Sequence, residues 1–99
     1  MRIISVFLIA VALIAGMVDY GGRESYTLTI ASTAGGSVTT PGEGTFTYVE
    51  GTVVDLTAEA EEGYEFVNWT GDVGTIAAVN NATTTITMND NYSITATFS

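Results

Sequence analysis

From Tyr26 to Phe98 the chain alternates apolar and polar residues with a period of two, a pattern that strands satisfy and helices do not. In YTLTI, Tyr26, Leu28 and Ile30 fall on one face and Thr27 and Thr29 on the other. GSVTT, residues 36–40, is a second short run after the Gly35-Gly36 turn, and PGEG, residues 41–44, is a turn by composition. TFTYV then places Phe46 beside Tyr48, and VVDLTAEA sends Val54, Leu56 and Ala58 inward with Asp55, Thr57 and Glu59 outward. After an irregular stretch from Gly71 to Ala82, TTTITM sets Thr84, Ile86 and Met88 against Thr83, Thr85 and Thr87. Asn89 to Asn91 turn the chain into YSITATF, with Tyr92, Ile94, Ala96 and Phe98 on one face. Such runs predict an all-β domain over residues 26–99, built as a small antiparallel sheet. The outward faces are mostly Thr, which keeps strand propensity without adding apolar surface, so these faces are expected to meet water.

Charge narrows the function classes. There are 2 Lys+Arg against 11 Asp+Glu in 99 residues, and the formal net charge is −9. Arg2 and Arg23 both precede Tyr26, so the β domain has no cation with which to neutralise a phosphate backbone. Nucleic acid is thereby excluded, and anionic lipid is disfavoured. The chain has no His and no Cys, and Lys is absent as well. That removes imidazole bases, thiolate and amine nucleophiles, and thiolate or imidazole metal sites. Carboxylate-pair chemistry remains, but a chain this short hardly supplies both a cleft and a core. No enzymatic activity and no cofactor are expected. Without a disulfide, stability must come from packing, from a neighbouring copy, or from a bound ion.

The N-terminus carries an export pattern. Arg2 precedes an uncharged run from Ile3 to Val18, with Ala15 and Gly16 as small residues where cleavage would fall. The run is shorter than the ~20 residues that span a bilayer, which favours a cleaved signal over a retained anchoring helix. Residues 1–18 are therefore read as a signal peptide or as a hydrophobic membrane- or fibre-anchoring helix, and residues 19–25 as a linker. Either way the β domain is expected outside the cytoplasm, touching a membrane only through residues 3–18 if these are retained.

The one Trp lies in EEGYEFVNWTGDVG, where the alternation breaks. Tyr64 and Phe66 share a face, but Trp69 falls on the opposite phase. One extra residue near Asn68 would return Trp69 to the side of Phe66, so a β-bulge and an inward Trp are expected. Strict alternation would instead leave Trp69 and Tyr64 outside as a platform for a carbohydrate. The set YTLTI with GGSVT, then EGTVVDLTA, then GYEFVNWTGD and TITMNDNYSITATF resembles the divergent internalin B-type repeat (divergent InlB B-repeat) of microbial surface proteins, from Tyr26 to Phe98. The resemblance implies a surface module with a small sheet, β-grasp-like at most, that acts as a spacer, stalk or adhesive unit. It brings no catalytic residues. Tyr64, Phe66, Trp69 and Asp72 then become a fold signature. Other surface proteins, further copies of the chain, or a glycan are the partners left open, and a pilus-like filament built on a retained N-terminal helix is the alternative assembly.

Asp72, in TGDVG, stands without the closely spaced oxygen ligands that a calcium loop needs, and reads as a turn residue capping its own backbone. Glu59, Glu61, Glu62 and Glu65 read as a solvated acidic edge. Asn68, Asn81 and Asn91 each begin an N-x-[S/T] sequon and are glycosylation candidates on an exported chain, with Asn81 and Asn91, in loops, ahead of Asn68.

Overall fold

The computed structural model describes residues 23–99. The expected N-terminal helix, the cleavage region and residues 19–22 of the linker lie outside the described residues. Seven strands follow one another: β1 (Ser25–Ser32), β2 (Gly36–Thr40), β3 (Gly44–Val49), β4 (Val53–Ala60), β5 (Phe66–Gly71), β6 (Thr83–Thr87) and β7 (Tyr92–Phe98). The described residues contain no helix, so the helix packed across a sheet that marks a β-grasp is not part of them.

The strands divide into two sheets, with orders β3-β1-β7-β5 and β2-β4-β6. All pairings are antiparallel except one. β1 runs parallel to β7, from Leu28 opposite Tyr92 to Ser32 opposite Ala96. The departure from a purely antiparallel sheet has a topological cause. Five strands separate β1 from β7, giving a connection long enough for the crossover that parallel pairing needs.

The period-two pattern sets what each strand buries. Leu28, Ile30, Trp69, Ile94, Ala96 and Phe98 from the first sheet meet Val38, Val54, Leu56, Ala58 and Ile86 from the second, with Met88 just past β6, in one core. Tyr26, Phe46, Tyr48, Phe66 and Tyr92 pack against its margin. Thr84, the only buried polar residue among those described, has its Oγ1 occupied by the Ala78 N–H at 3.0 Å.

The segment between β5 and β6 is irregular but anchored to both sheets. Its Val79 carbonyl accepts from Trp69 N–H, its Ala82 carbonyl accepts from Ala58 N–H, and Ile76 bridges to Ile86. It therefore closes the side of the sandwich where β5 and β6 lie.

Candidate functional site

The aromatic segment is built around a register slip. Phe66 pairs with Phe98 and Asn68 pairs with Thr97, so Val67 is the extra residue on β5. The slip places Val67 outward and returns Trp69 to the inner face, where it is 1% exposed. Thr97 holds the bulge. Its Oγ1 accepts from Asn68 N–H at 3.3 Å and lies 2.6 Å from Asn68 Oδ1 and 2.9 Å from the Asn68 carbonyl, within donating reach of either. One hydroxyl thus satisfies the polar groups that a bulge frees from the ladder.

Trp69 is a structural pin. Its ring lies 5.6 Å from that of Phe66, which in turn meets Phe98 edge-on at 5.8 Å. Its indole Nε1–H donates to the Asn81 carbonyl at 2.9 Å, and its backbone N–H donates to the Val79 carbonyl at 2.8 Å. Both bonds go to the β5–β6 segment. With one face on the aromatic cluster and its polar edge on that segment, the indole has no face left for a sugar, so the Trp69 platform does not exist in this fold. Tyr64 is separate, about half exposed, with its ring over Gly35. Gly35 has φ 106°, and a β-carbon there would collide with the Tyr64 ring.

Asp72 does not cap its own turn. Its Oδ2 accepts from Ser93 N–H at 2.9 Å, and its own N–H donates to the Ser93 carbonyl at 3.0 Å. The cause lies one residue earlier. Gly71 has φ 99° and sits so close to the Ser93 carbonyl that any β-carbon would strike it. That approach carries the chain against β7, where the carboxylate finds a strand amide before it finds its own backbone. Asp72 therefore closes the end of the β5–β7 ladder.

Glu59, Glu61, Glu62 and Glu65 are all exposed, and among the described residues no group of three or more acidic, His or Cys side chains comes together to hold a metal ion. The three sequon asparagines sit differently. Asn68 is half-buried and tied to Thr97. Asn91 is exposed, yet its Oδ1 accepts from Thr27 N–H at 2.9 Å and lies 3.3 Å from Thr27 Oγ1, tying the β6–β7 turn to β1. Asn81 is exposed and accepts the Trp69 indole N–H on its backbone carbonyl.

At the β1–β3 end of the first sheet, Tyr26 and Tyr48 are register partners. Burial raises the Tyr48 phenol above its ordinary value of 10.0. Tyr26 is raised as well, first by desolvation and then by the charges of Glu50, Glu24 and Asp90.

Residues that the alternation did not point to carry much of this arrangement: Thr97, Ser93, Gly35 and the Asn81 carbonyl. Their partners lie far away in sequence, and a Thr or Ser on an outer face gives no local sign of what it will bond.

What fold and site define together is a small two-sheet β module whose aromatic cluster serves packing and whose Asp72 carboxylate serves strand closure. Residues 26–99 match the family profile of the divergent InlB B-repeat domain, and the chain belongs to that family. The family is a surface-associated repeat type that is not known for enzymatic activity. Comparison with curated proteins and with solved structures gives no match.

Proposed function

We propose that the chain is an exported, non-enzymatic structural module of the cell surface, one that holds apart whatever is joined to its two ends. The observation that carries this reading is the parallel β1–β7 pair. Because the first and last strands run the same way, the chain comes in at one end of the module and leaves at the other. From the register, the start of β1 and the end of β7 are separated by about 30 Å along the strands, at ~3.3 Å per residue. An antiparallel arrangement of first and last strands would have brought both ends to the same pole.

Charge agrees with this role. After Arg23 every ionised side chain is acidic, and a like-charged coat keeps a surface module soluble and unattached to nucleic acid or anionic lipid. A fixed acidic coat, a structural Trp and separated ends require no bound small molecule.

The test is surface accessibility joined to the mature N-terminus. Protease treatment of intact cells should remove the β domain, and mass spectrometry should find the mature chain beginning near Met17 for a released module or at Met1 for an anchored one. Full protection of the domain in intact cells, with degradation only after lysis, would refute the surface assignment.

A further inference from the structure

Two sheets of this kind have four edges, and on three of them outward backbone groups are already bonded. The outer edge of β5 donates Trp69 N–H to the Val79 carbonyl. The outer edge of β6 receives Ala77 N–H on the Thr85 carbonyl and Thr75 Oγ1–H on the Thr87 carbonyl, the latter at 2.7 Å. The outer edge of β2 is closed by side chains. Glu43 Oε2 accepts from Val38 N–H at 2.9 Å, and Ser32 Oγ–H donates to the Gly36 carbonyl at 3.2 Å. The fourth edge, β3, is different.

The β1–β3 ladder shows which groups of β3 face outward. Glu50 N–H donates to the Glu24 carbonyl at 2.7 Å, which makes that pair hydrogen-bonded and, by alternation, also Tyr26–Tyr48, Leu28–Phe46 and Ile30–Gly44. Thr27 N–H points the other way, to Asn91, as the same alternation requires. Thr45 and Thr47 therefore direct their N–H and C=O groups away from β1. Among the described residues nothing bonds those backbone groups. The Val49 carbonyl, next along the edge, is already taken by Thr52 N–H and Oγ1–H. The strand between, GTFTYV, has no charge, no Pro and no bulge, which are the usual devices that protect an edge.

We propose that the β3 edge pairs with the β3 edge of a second copy, antiparallel about a two-fold axis at Phe46, so that Thr45 of each copy exchanges backbone hydrogen bonds with Thr47 of the other. Three observations select this occupant. Thr45 and Thr47 are spaced two apart, so an antiparallel partner of the same sequence uses both and needs nothing from Val49. Charge selects the direction. In this register Glu43 faces Val49 and Glu50 faces Gly42 of the other copy, whereas a parallel copy in register would place each Glu beside its like. Packing supplies the apolar part. Phe46 is half-buried at the margin of the core, and at the two-fold axis it meets its own equivalent in a non-hydrogen-bonded pair, the closer kind. The pairing is isologous, and the other edge of the first sheet, β5, is bonded to the β5–β6 segment, so it stops at a dimer with an eight-stranded sheet.

The test uses single-cysteine variants of the full chain, which has no cysteine of its own. In a hydrogen-bonded antiparallel pair the Cα atoms are ~5.5 Å apart, inside the range that a disulfide spans. Mixed Thr45→Cys and Thr47→Cys chains should therefore cross-link on oxidation to at least tenfold more dimer than either variant alone. A Thr70→Cys chain, on β5, should not cross-link. In parallel, Thr47→Pro removes an outward N–H without touching the β1 ladder. It should turn the dimer seen by light scattering into a monomer, with far-ultraviolet dichroism and Trp69 emission unchanged. Preferential linking of Thr47→Cys with itself would overturn the stated register. A folded Thr47→Pro chain that stays dimeric would overturn the pairing. So would a monomeric wild type whose Thr45 and Thr47 amides gain exchange protection only when an unrelated extended peptide is added.

Discussion

Trp69→Phe is the substitution that weighs the aromatic pin most directly. Phe keeps the ring that packs on Phe66 but removes the outer part of the indole and its Nε1–H. The lost atoms number about three, so burial and the cavity left behind cost about 2 kcal/mol together. The Asn81 carbonyl loses its donor, for about 1 kcal/mol more. A total of ~3 kcal/mol is a large share of the ~4–12 kcal/mol expected for a domain of this size. At ~4–8 °C per kcal/mol for small domains, the melting temperature should fall by about 12–24 °C. Since the substitution removes the only Trp, the melt is followed by far-ultraviolet dichroism. Amide exchange adds a local readout. Ala58 N–H, which donates to the Ala82 carbonyl, should lose more protection than Leu28, because the β5–β6 segment is what the indole holds. A fall below about 4 °C, with Ala58 exchange unchanged, would mean that Trp69 neither fills the core nor pins that segment.

Three other substitutions test separate joints. Thr97→Val keeps strand propensity and shape but leaves Asn68 N–H without its acceptor, so it should cost about 1–2 kcal/mol in chemical denaturation and shift Trp69 emission to the red as the bulge loosens. Gly35→Ala meets a positive φ and the Tyr64 ring at once and should cost more than about 1 kcal/mol; Tyr64→Ala in the same chain should recover only the clash, so a non-additive double-mutant cycle measures it. Tyr48→Phe bears on alkaline stability. The folded state holds the Tyr48 proton at a pH where the unfolded chain releases it, so wild-type stability is complete below about pH 10 and falls as pH rises above it. The Phe variant should show a shallower decline in denaturation midpoint over that range, and an identical decline would remove Tyr48 as a cause.

Alternation alone was enough to place the strands and their inner faces, because burial on one side of a pleat leaves a direct imprint on residue order. The break at Val67-Asn68 was equally legible. Phe66 and Trp69 are both large and both inward, and only an extra residue reconciles them. Asp72 was not legible in the same way. Its isolation among glycines fits a self-capped turn, and only the close approach of Gly71 to Ser93 shows that the carboxylate reaches a different strand. The division into two sheets and the direction of β1 against β7 left no trace either. A strand buried on one face has the same pattern whichever neighbour it takes and whichever way that neighbour runs. Asn91 illustrates the same limit, since an NDN turn gives no hint that its amide will tie back to Thr27.

Strand direction also decides what a β3-paired dimer would be for. Antiparallel β3 strands carry antiparallel β1 strands, so the two Ser25 residues point to opposite poles of the pair, offset by about 20 Å along the strands at ~3.4 Å per residue. Two copies tethered by their N-termini to the same membrane can form this pair only if one turns over. Two copies tethered to facing surfaces form it without any such reversal. The pairing proposed for β3 would add an adhesive use to the proposed spacer geometry. The ends of each module are separated along the strands, and the β3 edge runs beside that line, so neither use obstructs the other. The acidic coat works in the same direction, because repulsion between two −9 chains keeps the pairing weak and reversible at low salt and strengthens it as salt screens the charge. Dimer formation that rises with ionic strength is the behaviour of a neutral backbone seam between acidic bodies, and a dimer that dissolves in salt would have to be held by something other than β3.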